Sequence, residues 1–125
     1  LEAYGVPLRP CPDSPNCVSS DATDKRHYVR PFDFSTDDQE AWEAIMSAIE
    51  SLPRTEIVTS TGDYIHAQCR SRVLGFVDDL EVELRRPDKL VAVRSASRTG
   101  YSDFGVNRRR VETLRGLLQE AGVVR

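Results

Sequence analysis

The sequence predicts an α+β fold: an antiparallel sheet of about four strands, two helices packed on one of its faces, and an extended proline-rich N-terminal arm. Three observations predict it. Apolar residues recur at three- and four-residue steps near 36–52 and again near 104–121. Between these segments, short alternating runs are broken by turn residues, the pattern of half-buried strands. The first 34 residues carry Pro7, Pro10, Pro12, Pro15 and Pro31 with little periodicity, so they read as an arm. Residues 1–34 are therefore taken as the arm and 35–125 as the α+β unit it wraps, one domain overall. In the arm, Val29, Phe32 and Phe34 suit a short edge strand interrupted by Pro31.

The first helix is expected to start at Thr36, which with Gln39 fits a capping box, and Asp37 and Asp38 suit the positive end of the dipole. Trp42, Ile45, Ile49 and Leu52 mark its buried face, and Pro53 ends it. Strands follow at 55–60 and 64–70 around the turn Thr61-Gly62-Asp63. The second alternates, with Ile65, Ala67 and Cys69 inward and His66, Gln68 and Arg70 outward. In the next hairpin Leu74, Phe76, Leu80, Val82 and Leu84 share a face, with Asp78 among them. After Pro87-Asp88, Val91 and Val93 continue apolar, and Ser95 and Ser97 extend that face. Placing Leu84 opposite Lys89 aligns the two apolar sets. It sets Asp78 opposite Ser95 and Asp79 opposite Arg94, which makes Asp79 the expected partner of Arg94 on the more open face. The final helix is expected from Asp103 or Phe104 to Ala121. Val111, Leu114, Leu118 and Ala121 lie inward, Asn107 shares that face, Arg110 lies on its border, and Gly122 caps the end.

The chain has 125 residues, 17 basic and 20 acidic, for a formal charge of −3. That balance speaks against a general nucleic-acid or anionic-membrane binder, which would normally be basic. No apolar run reaches membrane-spanning length. Leu1 in place of an initiator Met leaves room for a removed signal peptide or lipid anchor, and so for membrane proximity through a preceding segment. Cys11 and Cys17 flank the loop CPDSPNC. Their spacing suits a disulfide, which would require an oxidising compartment, or two free thiols, and the bridge is the reading taken. Two histidines and no second close cysteine pair argue against zinc, so neither a metal nor a cofactor is expected.

Chemistry concentrates between Arg94 and Arg110, RSASRTGYSDFGVNRRR, which holds five arginines. If the hairpin and last helix pack as drawn, Asp78, Ser95, Ser97 and Asn107 meet. An ionised Asp78 in an apolar layer demands donors, so an internal polar network is the favoured reading for these four. Arg94, Arg98, Tyr101 and Arg108, with the amides of the helix start, form the candidate ligand site, suited to an anionic small molecule. For Arg98, Tyr101 and Arg108 a purely structural role stands equally. Two of the three arginines in the run Arg108–Arg110 are expected to be solvated. No nucleophile elbow, zinc-protease motif, P-loop or CxxC appears.

SPNCVSS (14–20), GFVDDLEVEL (75–84) and RSASRTGYSDFGVNRRRVE (94–112) resemble the uncharacterised family catalogued as domain of unknown function 1499. The resemblance runs from Cys11 to about Leu118. It implies kinship with small bacterial and plastid proteins that are often preceded by a signal or membrane segment. The implied location is the periplasm or the outer side of a membrane, with the cytoplasm as the alternative. It implies no reaction. The expected function is a binding module. The alternatives are an enzyme using Asp78 as base with an arginine anion clamp, or a structural and interaction domain. The ligand and the oligomeric state are not legible in the sequence.

Overall fold

In a computed structural model, which describes residues 8–72 and 74–125, the chain is α+β, with a larger sheet than expected. The elements are β1 (Cys17–Ser19), β2 (Phe32–Asp33), α1 (Asp38–Ser51), β3 (Thr55–Ser60), β4 (Tyr64–Arg70), β5 (Val77–Arg85), β6 (Leu90–Ser97) and α2 (Val106–Glu120). The sheet runs β1-β6-β5-β4-β3, with β2 also on β6, and every pairing is antiparallel. The arm supplies the extra strands: β1 pairs with residues 94–96 and β2 with residues 90–91 of β6. Both cover an edge whose amides would otherwise be open to another chain. A disulfide joins Cys11 to Cys17, the first residue of β1, and Cys69 is free and buried.

One face of the sheet carries the core. Ile65, Ala67, Leu80, Val82, Leu84, Val91 and Val93 pack against Trp42, Ile45 and Ile49 of α1 and Val111, Leu114 and Leu118 of α2. Trp42 is core, and its Nε1 donates to the Thr61 carbonyl at 3.1 Å.

Several local expectations need correction. The cap of α1 is Asp37, whose Oδ1 accepts the Glu40 amide at 2.9 Å. The Thr36 hydroxyl donates instead to the Asp37 carbonyl. The β5–β6 register differs from the expected one by two residues: Leu84 faces Val91, Asp78 faces Ser97, Asp79 faces Ala96 and Glu81 faces Arg94. The cause is the turn, where Arg86–Asp88 form one 3₁₀ turn and Lys89, at φ 53°, closes it by donating its amide to the Arg86 carbonyl. A shift of two residues leaves every side chain on its expected face, so the apolar pattern alone does not distinguish the two registers. Leu74 and Phe76 precede β5 and are exposed. Ala121 is exposed too, and Val123 and Val124 fill the core beyond the helix end.

Over β5 and β6 the outer sheet face is covered, not open. Glu81, Glu83 and Arg94 are all buried, because the arm from Leu8 to Asp21 lies over them: Arg94 donates to the Pro10 carbonyl, and Arg85 grips Asp21 with two bonds of 2.8 Å.

Candidate functional site

At the junction of β6 and α2, two inward serines meet the first turn of the helix. Asn107 is fully buried there, and its Oδ1 accepts from the Ser95 hydroxyl (2.7 Å) and from Arg110 (2.8 Å). Its Nδ2 lies within donating distance of Ser97 Oγ, the Asn16 carbonyl and Asp103 Oδ2, at 3.0, 3.2 and 2.8 Å. Arg110 reaches from the next turn to Asp78 Oδ2 at 2.9 Å and to Ser95 Oγ at 3.1 Å. The expected quartet of Asp78, Ser95, Ser97 and Asn107 is thus brought together, with Arg110 as the cation that holds Asp78. Asn16 from the arm joins the network and also donates to the Gly100 carbonyl at 2.7 Å, tying the SPNC segment to the β6–α2 loop.

Asp103 ties off the helix start. Its carboxylate accepts the amides of Gly105 (2.8 Å) and Asn107 (3.0 Å), and its carbonyl accepts that of Val106. Burial pushes its pKa up, but the bonds from Asn107 and Gly105 outweigh this and hold it below the usual carboxylate range. Two of the helix amides expected to face an external anion, those of Val106 and Asn107, are therefore already engaged by Asp103.

The four candidate ligand residues do not converge. Arg94 lies on the outer sheet face under the arm, where burial pushes its guanidinium pKa down, with Glu81 Oε1 at 3.6 Å. Neither Arg94 Nε nor Glu81 Oε1 has a hydrogen-bond partner among the described residues. Arg98 forks onto Asp79 through Nε (2.8 Å) and a terminal nitrogen (2.9 Å), and His66 Nε2 lies 2.7 Å from the same carboxylate. Asp79 thus pairs with Arg98 and His66, not with Arg94. The Arg98 bond is the main reason its pKa falls to about 2, helped by His66 and opposed by burial. Tyr101 stands exposed in the loop. Arg108 turns to the arm, donating to the carbonyls of Tyr28 (2.9 Å) and Arg26 (3.0 Å).

A different group of arginines shares a cleft. The starts of β3 and β5 and the ends of β4 and β6 lie at one end of the sheet, hereafter the tip. There Pro53 stops α1, Arg54 turns the chain at φ 52°, and the first turns of α2 come alongside. Between them lies a cleft of about 310 Å³ lined by Arg54, Arg70, Arg109 and Arg110, by the hydroxyl residues Thr55 and Thr113, and by Cys69 and Val106. Among the described residues no carboxylate belongs to its wall. Arg110 is neutralised by Asp78. Among the described residues Arg54, Arg70 and Arg109 form no ion pair: Arg54 Nε donates to the Arg70 carbonyl (3.2 Å) and Arg109 to the Phe104 carbonyl (3.0 Å). A wider groove shares Arg54, Thr55 and Arg70 and continues to Arg72 and Leu74, with Glu56 as its one carboxylate.

This cleft is not legible in the sequence, because its arginines come from three separate segments and Arg109 lies in a run that reads as mostly solvated. The available signal was positional: Arg54 follows a helix-ending proline and Arg70 ends a strand. Among the described residues no group of three or more His, Cys, Asp or Glu could hold a metal, and no helix is long and apolar enough to cross a membrane.

A family model described as protein of unknown function (DUF1499) matches residues 7–118, and the chain belongs to that family. No curated protein matches it.

Proposed function

We propose that this protein is a binding module for a small anionic group, phosphate, sulfate or carboxylate, received in the cleft between Arg54, Arg70 and Arg109. The observation that carries this reading is that, among the described residues, a cleft lined by four arginines has no carboxylate in its wall, in a chain of net charge −3. A concave surface lined by one sign of charge focuses its field and concentrates counter-ions. Guanidinium forks match the planar oxygens of carboxylate and phosphate, and Thr55 and Thr113 add hydroxyl donors. The volume lies at the small end of ligand sites, which suits a compact group or the head of a larger molecule.

Asp78 supports no base chemistry in this account, because Arg110 takes its carboxylate inside the polar network. The expected site at Arg98 gives way to the cleft for the same kind of reason: Asp79 already occupies its fork. The Cys11–Cys17 disulfide fits an oxidising compartment, and we place the module on the outer side of a membrane accordingly.

The test is a thermal-shift series with phosphate, sulfate and citrate at low salt. An anion that binds only the folded state raises the melting temperature. We expect the shift in the wild type and in Arg98→Ala, and its loss in Arg70→Ser/Arg109→Ser, whose side chains are exposed and whose unliganded melting temperature should hardly move. No shift with any anion, or an undiminished shift in the double variant, overturns the proposal.

A further inference from the structure

The tip that holds the arginine cleft also carries most of the large apolar side chains left in solvent. Leu74 is 70% exposed, Phe76 54%, Tyr101 68% and Phe104 86%. Leu74 and Phe76 lie in the β4–β5 connection, Tyr101 and Phe104 in the β6–α2 loop. The two connections leave neighbouring strands at the same end, where the Arg98 amide donates to the Val77 carbonyl at 3.1 Å. Phe104 is the most informative of the four. It sits at φ 54°, in the left-handed region that bulky residues avoid, and buries almost nothing. Folding gains little from an aromatic ring there, whereas Gly or Asn would take that backbone more readily.

Exposed apolar side chains grouped at one site mark a surface that something covers. Here the charge around them identifies it. Arg54, Arg70 and Arg72 line the groove that reaches Leu74, Arg109 donates to the Phe104 carbonyl, and nearby Asp78 and Asp79 are paired with Arg110 and Arg98 while Asp103 accepts the amides of Gly105 and Asn107. Glu56 is the one carboxylate in the groove wall. Aromatic and aliphatic side chains with arginines at the same tip complement a bilayer surface with anionic headgroups: the apolar groups enter the headgroup–acyl boundary and the cations meet phosphates.

We infer that this tip docks on the surface of an anionic phospholipid bilayer, with Leu74, Phe76, Tyr101 and Phe104 inserted and a headgroup phosphate in the arginine cleft. The second half of this inference rests on the anion-binding reading of the cleft; the first rests on the exposed side chains and does not. Docking is peripheral, so high salt weakens it by screening the arginines.

The experiment is co-sedimentation of the intact protein with vesicles of phosphatidylcholine alone and of equal parts phosphatidylglycerol and phosphatidylcholine, beside a thermal-shift titration with inorganic phosphate. We expect binding to the phosphatidylglycerol vesicles at low salt, weaker binding at high salt, and little to phosphatidylcholine. Leu74→Ser/Phe104→Ser should weaken vesicle binding about tenfold or more, leaving the phosphate shift and the melting temperature in place. Val58→Ser, which removes an exposed apolar group in the middle of β3, should bind as the wild type does. Vesicle binding that fails while phosphate still stabilises the protein refutes docking and leaves the cleft reading standing. Vesicle binding with no phosphate shift supports docking and refutes the cleft as its phosphate seat. Undiminished binding by the Leu74→Ser/Phe104→Ser protein refutes the assigned surface, and failure of both measurements removes both readings.

Discussion

At the residue scale, Arg110 and Asp78 depend on each other. Both side chains are largely buried, and each is the other's ion-pair partner. Removing one leaves a buried charge without compensation, so Asp78→Ala should destabilise the fold by about 3 kcal/mol in urea unfolding. A loss below about 1 kcal/mol would mean that Arg110 finds water instead. Asp79 responds to acid. Its pKa is lowered to about 2 from an ordinary 3.8, chiefly by the Arg98 bond. A depressed carboxylate contributes stability above its unfolded value and loses that contribution as pH falls through its folded value. The stability gap between wild type and Arg98→Ala should therefore be full near neutral pH and close between about pH 4 and pH 2. A gap that stays constant over that window would show that the pair does not hold the proton off Asp79. Asp78, Ser95, Ser97 and Asn107 were legible as a cluster because each interrupts an apolar periodicity. Asp103 and Asn16 were not, since they act from loops whose paths no periodicity encodes.

At the scale of elements, both helix starts rest on an aspartate. Asp37 caps α1 through the Glu40 amide, and Asp103 caps α2 through the amides of Gly105 and Asn107. Asp37→Ala should cost about 1 kcal/mol, while Thr36→Ala should cost a few tenths at most, because its hydroxyl bonds to no helix amide. Urea midpoints for the two variants check this, and equal losses would restore the Thr36 cap. The sequence pointed to helix α1 but chose the wrong one of two adjacent capping residues, for Thr36 with Gln39 and Asp37 with Glu40 offer nearly the same signature. The hairpin register failed for a related reason. Alternation specifies which face a residue takes, while the turn alone sets the pairing, and the left-handed Lys89 has no mark in composition. The arm was readable as extended, but its pairing with β6 was not, because Cys17–Ser19 is too short to show alternation.

At the scale of the molecule, charge is sorted by place. Carboxylates and arginines neutralise each other across the outer sheet face and in the β6–α2 network, as in Asp79 with Arg98 and Asp78 with Arg110. Arg54, Arg70 and Arg109 fall outside that sorting, at the one end where four large apolar side chains also remain in solvent. A net charge of −3 conceals this local surplus, which explains why composition pointed away from a general nucleic-acid or anionic-membrane binder. The most direct test of the central claim follows the arginine side chains themselves, through the Nε–H resonances of the ¹⁵N-labelled protein during a phosphate titration at low salt. Saturable shifts are expected at Arg54, Arg70 and Arg109, with Arg98 and Arg108 unmoved in their bonds to Asp79 and to the arm carbonyls. Shifts confined to Arg98 and Arg108, or none that saturate, would contradict it.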